Sequence, residues 1–314
     1  MDKTVALGKD IQYSPELFLP DPLASDTAEK IVRPSLTYWK DARRRFVQNK
    51  IAVGAVIILI FIILGALIFP IISDYRFSDQ DYDVVNKGPT KEHLFGTDEL
   101  GRDIWVRCWE GARVSLFIAL VATVINGGFG ILYGGFAGYL GGKADLVMMR
   151  ICEIITAVPQ MLWILMLVLI MEPGVWPIIV AISATGWVGM ARLFRGQVLQ
   201  LREMEFVLAS QTLGARSFWI IIKHLLPSAM SPVITNLAFA VPGAIFAEAF
   251  LSYIGLGLPL PMASWGTLAS DGAAMLLIYP YQLMFPALLI SITMLSFNIL
   301  GDGLRDALDP KLRQ

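Results

Sequence analysis

Arg202–Pro227 reads REMEFVLASQTLGARSFWIIIKHLLP, a charged stretch set between two strongly apolar segments. It carries Arg202, Glu203, Glu205, Arg216, Lys223 and His224, and Arg192 and Arg195 lie just upstream, so the region is positively biased. Its first half, Glu203 to Leu213, predicts a short helix: acids in the first turn suit the positive end of the helix dipole, and Gly214 is a natural stop. A small amphipathic helix in a basic loop between apolar segments is a handle for a cytoplasmic partner. That reading requires the flanking segments to be membrane spans.

Composition supports this. Of 314 residues, 56% are hydrophobic and 16% charged, and the mean hydropathy is +0.63. Soluble domains carry about 25% charge, so an integral membrane protein is expected. Cys108 in a polar loop and Cys152 in an apolar segment provide neither a disulfide framework nor a metal-site spacing. Roughly 45 mostly polar residues precede the first apolar run, where a cleavable signal would place it much earlier, so that run is expected to be retained.

Six spans are predicted: about Ile51–Ile72, Ala112–Tyr139, Leu146–Met171, Val175–Phe194, Leu225–Ile254 and Tyr281–Leu300. The second is rich in glycine (Gly127, Gly128, Gly130, Gly134, Gly135), which permits close helix approach, and the third should kink near Pro159. Pro227, Pro232 and Pro242 interrupt the fifth. Before the first span, Met1 to about Lys30 reads as an irregular arm, and Ser35–Lys50 as an interfacial helix with Trp39 and Phe46 among basic residues. Residues 1–50 thus form a cytoplasmic arm and 51–314 the transmembrane domain. Within it, residues 73–111 make an outer loop, 195–227 a cytoplasmic loop and 301–314 a cytoplasmic tail. Basic residues at 43–50, 143–150, 192–223 and 305–313 all fall on one side, whereas the loops with Glu172 and Asp271 carry no Lys or Arg. Both termini and the Arg202–Pro227 loop are therefore cytoplasmic.

Energy-converting chemistry is missing from this pattern. GYLGGKA at Gly138–Ala144 has the wrong glycine spacing for a phosphate loop, and Ala follows its lysine. The two histidines, His93 outside and His224 inside, cannot form a metalloprotease helix or a Ser–His pair within the bilayer. An enzyme is not expected, nor is a metal site or a nucleic-acid partner. Glu153 in the third span is expected to pair with Arg150 or a neighbouring helix. For Glu248 in the fifth, lining of an aqueous cavity and a structural hydrogen bond both stay open. Asn126, Asn236 and Asn298 suit interhelical hydrogen bonding better than substrate contact, though Asn236 stays a cavity candidate beside Glu248.

The LASQTLGA…LP run, with Gly214 thirteen residues before Pro227, resembles the cytoplasmic-loop motif of ABC importer permeases. Leu208 stands where that family usually has glutamate, a departure usual in its peptide branch. EHLFGTDELGRDIWVRCWEGARVSL (Glu92–Leu116) is similar to the outer-loop signature of the dipeptide/oligopeptide/nickel permeases. GDGLRDALDPKLR (Gly301–Arg313) is similar to their C-terminal signature and SYIGLGLPLPMASWG to the loop between their last two spans. With RRRFVQNK before the first span, the resemblance covers about residues 33–314 and points to the C-type subunit.

That resemblance implies an all-α type I importer permease. Its partners would be a paralogous permease, two cytoplasmic ABC ATPases holding ATP and Mg, an extracytoplasmic binding protein and a peptide substrate. The short helix would couple to an ATPase. Ala209 and Ser210 would allow close approach, Phe206 and Leu213 apolar contact, Glu203 and Glu205 would lie in its first turn, and Gly214, Ala215 and Pro227 would shape the return. In the outer loop, Gly96, Thr97, Asp98, Gly101, Arg102 and Asp103 would form a lid. The spacing of its charges predicts one helical turn capped by Thr97 or Asp98; they either pair locally in a self-capped polar helix or, as a lid, contact the binding protein or the second permease. Two rivals stay open: a nickel or metal-chelate permease of the same architecture, and a channel or scaffold without ATP coupling.

Overall fold

The computed structural model describes residues 38–309. The irregular arm expected from Met1 to about Lys30, the rest of residues 31–37, and residues 310–314 lie outside the described residues. Two compact units divide the chain between Asp41 and Ala42, and the described part of the first is only the opening turn of α1. Helices α1 to α6 are Tyr38–Gln48, Lys50–Ile72, Ile104–Leu140, Gly142–Ala157, Gln160–Ile170 and Val175–Leu201. The cytoplasmic loop holds α7 (Glu205–Thr212), α8 (Ser217–Ile220) and α9 (Leu226–Ser228). Then follow α10 (Met230–Tyr253), α11 (Trp265–Ala274) and α12 (Tyr281–Leu308).

Five helices (α2, α3, α6, α10 and α12) are long and apolar enough to cross a bilayer, and α4 with α5, bent by 79° at their junction, makes a sixth where the pair counts as one span. The third span is thus broken where a kink was expected. Val158, in extended conformation, precedes Pro159, whose ring disfavours helical geometry in the residue before it. Local donors partly satisfy the break: Trp163 Nε1 donates to the Ile155 carbonyl at 3.0 Å, and Thr156 Oγ1 to that of Cys152 at 2.9 Å.

Three boundaries also move. α3 begins at Ile104, not Ala112, because Asp103 caps it; Asp103 Oδ1 accepts the Val106 N–H at 2.9 Å. Its 37 residues span about 56 Å at 1.5 Å per residue, well beyond a hydrocarbon core of about 30 Å. Its first turns therefore stand in the outer loop. α6 runs on to Leu201, fastened by Arg195 to Asp145 with two contacts of 2.5 Å and by Arg202 Nη1 to the Gly138 carbonyl at 3.0 Å. α12 continues through most of the expected tail, because Gly301 and Gly303 are contact points against Phe239 and Ala52 and no breaker occurs before Pro310.

The most extensively packed helix pair is α3 with α6. Gly130, Gly134 and Gly138 make a ridge at four-residue spacing. A Cβ at these positions would lie 2.7 Å from the Trp187 carbonyl oxygen, 2.1 Å from that of Ala191 and 2.9 Å from that of Arg195. Backbone cannot give way as a side chain can, so the glycines set this distance. In α6, 56% of the apolar window is buried in the chain, against 28% in α2 and 22% in α12. α6 and, at 50%, α10 are therefore the most enclosed spans, and α2 and α12 turn broad faces outward.

Candidate functional site

The cytoplasmic helix expected over Glu203–Leu213 forms as α7, Glu205–Thr212, preceded by extended Met204. Val207 is its one fully buried residue and enters a cluster with Phe194, Val198, Ile220, Ile221 and Leu225. Ser210 Oγ donates to the Phe206 carbonyl at 2.8 Å and lies 3.4 Å from His224 Nε2, while Trp219 meets the His224 ring edge-on. The helix ends as Gly214, at φ +79°, donates its N–H to the Gln211 carbonyl, and Ala215 donates to that of Ser210. A five-residue π turn, Ile221–Leu225, precedes Pro227, which has no N–H and sits in the first turn of α9.

One face thus anchors α7 and the other is bare. Phe206 is 42% exposed, Leu208 48% and Leu213 87%; Met204, Ala209, Glu203 and Glu205 are exposed beside them. Ser210 is half-buried and bonds inward. Met204 and Leu208 are further exposed apolar residues that sequence reasoning did not name for contact. Leu208 could have been found, since an apolar residue at a usual glutamate position enlarges a contact surface.

The outer loop differs from its expectation. Residues 97–103 form no helix; they make a tight turn with Gly96 at φ +79° and Gly101 at φ +71°, and Thr97 and Asp103 pair in an isolated antiparallel bridge. A Cβ on Gly101 would collide with the Asp81 carbonyl, so the turn closes only with glycine there. Thr97, Asp98, Arg102 and Asp103 are buried. Asp98 Oδ1 accepts the N–H groups of Leu100 and Arg102 at 2.9 Å; its Oδ2 accepts Arg102 Nε at 2.7 Å and Arg107 Nη1. Asp103 Oδ2 lies 2.8 Å from His93 Nδ1. These charges are consumed internally, so of the turn's charged residues only Glu99 is left for a partner. α11, unforeseen in the sequence, closes the outer end of the bundle. Ser264 and Thr267 cap it reciprocally, and buried Trp265 donates from Nε1 to the Cys108 carbonyl at 3.0 Å. Ser264 was its legible signal.

The family profile described as "Binding-protein-dependent transport system inner membrane component" matches residues 130–314, more than half of the chain. The chain belongs to this family. A second profile, "N-terminal TM domain of oligopeptide transport permease C", matches residues 37–89. The chain is 50% identical over 298 residues to the oligopeptide transport system permease protein OppC of Bacillus subtilis, covering 95% of this chain and 98% of that one. It is 48% identical to the dipeptide transport system permease protein DppC of the same organism, covering 96% and 95%. It is 42% identical to OppC of Haemophilus influenzae, covering 92% and 94%. It is a bacterial multi-pass membrane permease of the oligopeptide/dipeptide type.

The permease keeps both intramembrane acids in structural roles. Glu153 pairs with Arg150 at 2.5 Å on an exposed face. Glu248, open as a cavity candidate, is fully buried inside the chain: its Oε2 accepts from Ser115 Oγ at 2.8 Å and its Oε1 from Ser252 Oγ at 2.9 Å. Ser115 Oγ in turn accepts the Trp265 N–H at 3.1 Å, joining α3, α10 and α11 through one carboxylate. Enclosure by these three helices gives Glu248 the structural hydrogen bonds that were one of its two open readings. Glu248→Gln should keep the permease stable, whereas Glu248→Leu strands two hydroxyls at about 1–3 kcal/mol each. Thermal unfolding of the purified protein checks this, and equal melting of the two variants would contradict it. Asn236 does line a cavity, of about 330 Å³, with Ser231, Thr235, Phe239 and Arg305 at the cytoplasmic end. Among the described residues no group of three or more His, Cys, Asp or Glu gathers as metal ligands.

Proposed function

We propose that this permease is the C-type half of a bacterial peptide importer. With a paralogous permease it forms the pathway, two ABC ATPases holding ATP and Mg drive it, and an extracytoplasmic binding protein delivers peptide. The observation that carries this reading is α7: a short helix anchored by Val207 and presenting Phe206, Leu208 and Leu213 to the cytoplasm. Bare apolar side chains on a well-packed helix suit a protein groove. The relatives named for oligopeptide and dipeptide transport support peptide as the cargo.

In this scheme the chain itself hydrolyses nothing. Closure of the ATPases pushes α7, the packed cluster around Val207 transmits the push to α6 and α10, and those spans tilt to open the pathway outward. This is alternating access between two states whose relative stability ATP changes. Gly96, Thr97, Asp98, Gly101, Arg102 and Asp103 serve as a rigid outer rim whose exposed residues, Glu99 among them, meet the binding protein.

Reconstitution of the complete complex in vesicles tests the reading, with ATP inside and di-, oligopeptides and nickel offered outside through the binding protein. Peptide accumulation that depends on ATP is expected. Accumulation of nickel or a metal chelate without peptide would replace peptide by metal as the cargo. Flux through the purified chain alone, without ATPases, would replace the importer by a channel.

A further inference from the structure

Halfway through the bundle, α3, α5, α6 and α10 line a second, open-sided cavity of about 330 Å³. Its walls are mostly small or apolar, with Gly186, Ala240, Gly243 and Ala244 among them, and two carboxamides face it: Asn126 from α3 and Gln160 from the first position of α5. Asn126 Oδ1 is buried and makes no hydrogen bond, so it does not act as the interhelical bond expected of it. Its amide lies over the bare backbone of Gly186, where a Cβ would stand 2.3 Å from Asn126 Nδ2. Gln160 is exposed and directly follows the broken turn at Val158–Pro159, so the break of the third span sets it at the cavity. A buried acceptor without a donor costs stability, and an apolar side chain at 126 would avoid that cost. Asn126 thus lines the cavity with a carboxamide whose hydrogen-bonding capacity no group of the described residues uses.

We propose that Asn126 and Gln160 form a transport subsite that hydrogen-bonds the main-chain amides of a passing peptide. This rests on the peptide reading above and deepens it. A carboxamide can donate or accept, as a peptide group can, so each makes one hydrogen bond to an N–H or a C=O of the main chain whatever the side chain. Neither residue is charged, and the small walls impose no shape on side chains. Such a site recognises the feature common to all peptides. Two neutral hydrogen bonds also bind weakly enough to release the cargo when the state switches.

The test uses the complete reconstituted complex with trialanine and trilysine. Asn126→Leu and Gln160→Leu should each slow import about five- to tenfold, the worth of one lost hydrogen bond, and by the same factor for both peptides. Gly186→Ala, which displaces the Asn126 amide, should reproduce the first defect, while assembly with the second permease and peptide affinity of the binding protein stay unchanged. A defect for one peptide only would overturn main-chain recognition. Unchanged import of both by variants of an active complex would overturn the subsite. Variants that fail to co-purify with the second permease would make the cavity a subunit contact and overturn it equally. Should the wild-type complex import neither peptide, the peptide reading itself falls, and the subsite with it.

Discussion

Leu213→Asp should cut peptide-driven ATP hydrolysis and import about ten- to hundredfold while leaving the permease folded in the membrane. Leu213 is 87% exposed at the end of α7, so the folded chain loses nothing when its apolar surface is removed. Substitutions at such positions change stability by about 0.5 kcal/mol or less. If Leu213 seats in an ATPase groove, burial there is worth about 1.5–3 kcal/mol, which sets the fold-change. Gly214→Pro should uncouple as strongly by another route. Proline cannot reach φ +79°, and it removes the N–H that Gly214 donates to the Gln211 carbonyl. A bulky change at exposed Ala209 should act like Leu213→Asp. ATPase rate with and without peptide-loaded binding protein is the measurement. Normal stimulation in all three variants would mean that α7 is no lever.

The largest expected loss of stability comes from Asp98→Ala. Its carboxylate faces two guanidinium groups whose side chains are only 5% and 1% exposed, Arg102 and Arg107. Removing one partner of a buried ion pair costs about 3–5 kcal/mol, because the remaining charges lose their close counter-ion where water cannot replace it. Arg107 has little in reserve. Its Nη2 lies 3.7 Å from Asp271, beyond hydrogen-bond distance, and its Nε has no partner. Asp271→Ala should cost much less: Asp271 is 44% exposed, and burial of the rest already pushes its carboxyl above the ordinary carboxylate range. Thermal unfolding in detergent, followed by protease attack on the outer loop, ranks the two variants. Equal melting would show that the Asp98 cluster is not what holds the loop to α3.

Local chemistry explains what could be read in the chain beforehand. The apolar spans and the α7–Gly214 unit follow from hydropathy, charge and one glycine, all of which act over a few residues. The outer loop did not yield to the same reasoning. The charges of Asp98–Asp103 fit a helix by spacing, but Gly96 and Gly101 adopt positive φ so that Asp98 can reach Arg107 on the next helix. That contact, like the Glu248–Ser115 bond across 133 residues, is created only when distant segments pack. Asn126 is legible in the opposite sense: the sequence suggests a bonded asparagine, and packing leaves its oxygen unpartnered.

Cross-linking tests the central claim most directly. Cys108 and Cys152 are both buried, so a cysteine placed on the surface reports its own surroundings. Leu213→Cys in the assembled complex should cross-link to an ATPase subunit, in a yield that changes when ATP binds. Leu277→Cys, 98% exposed beyond α11 at the outer end, should give no ATPase adduct. If Leu213→Cys gives no ATPase adduct in a complex that still transports, the bare face of α7 is not the contact through which ATP drives this permease.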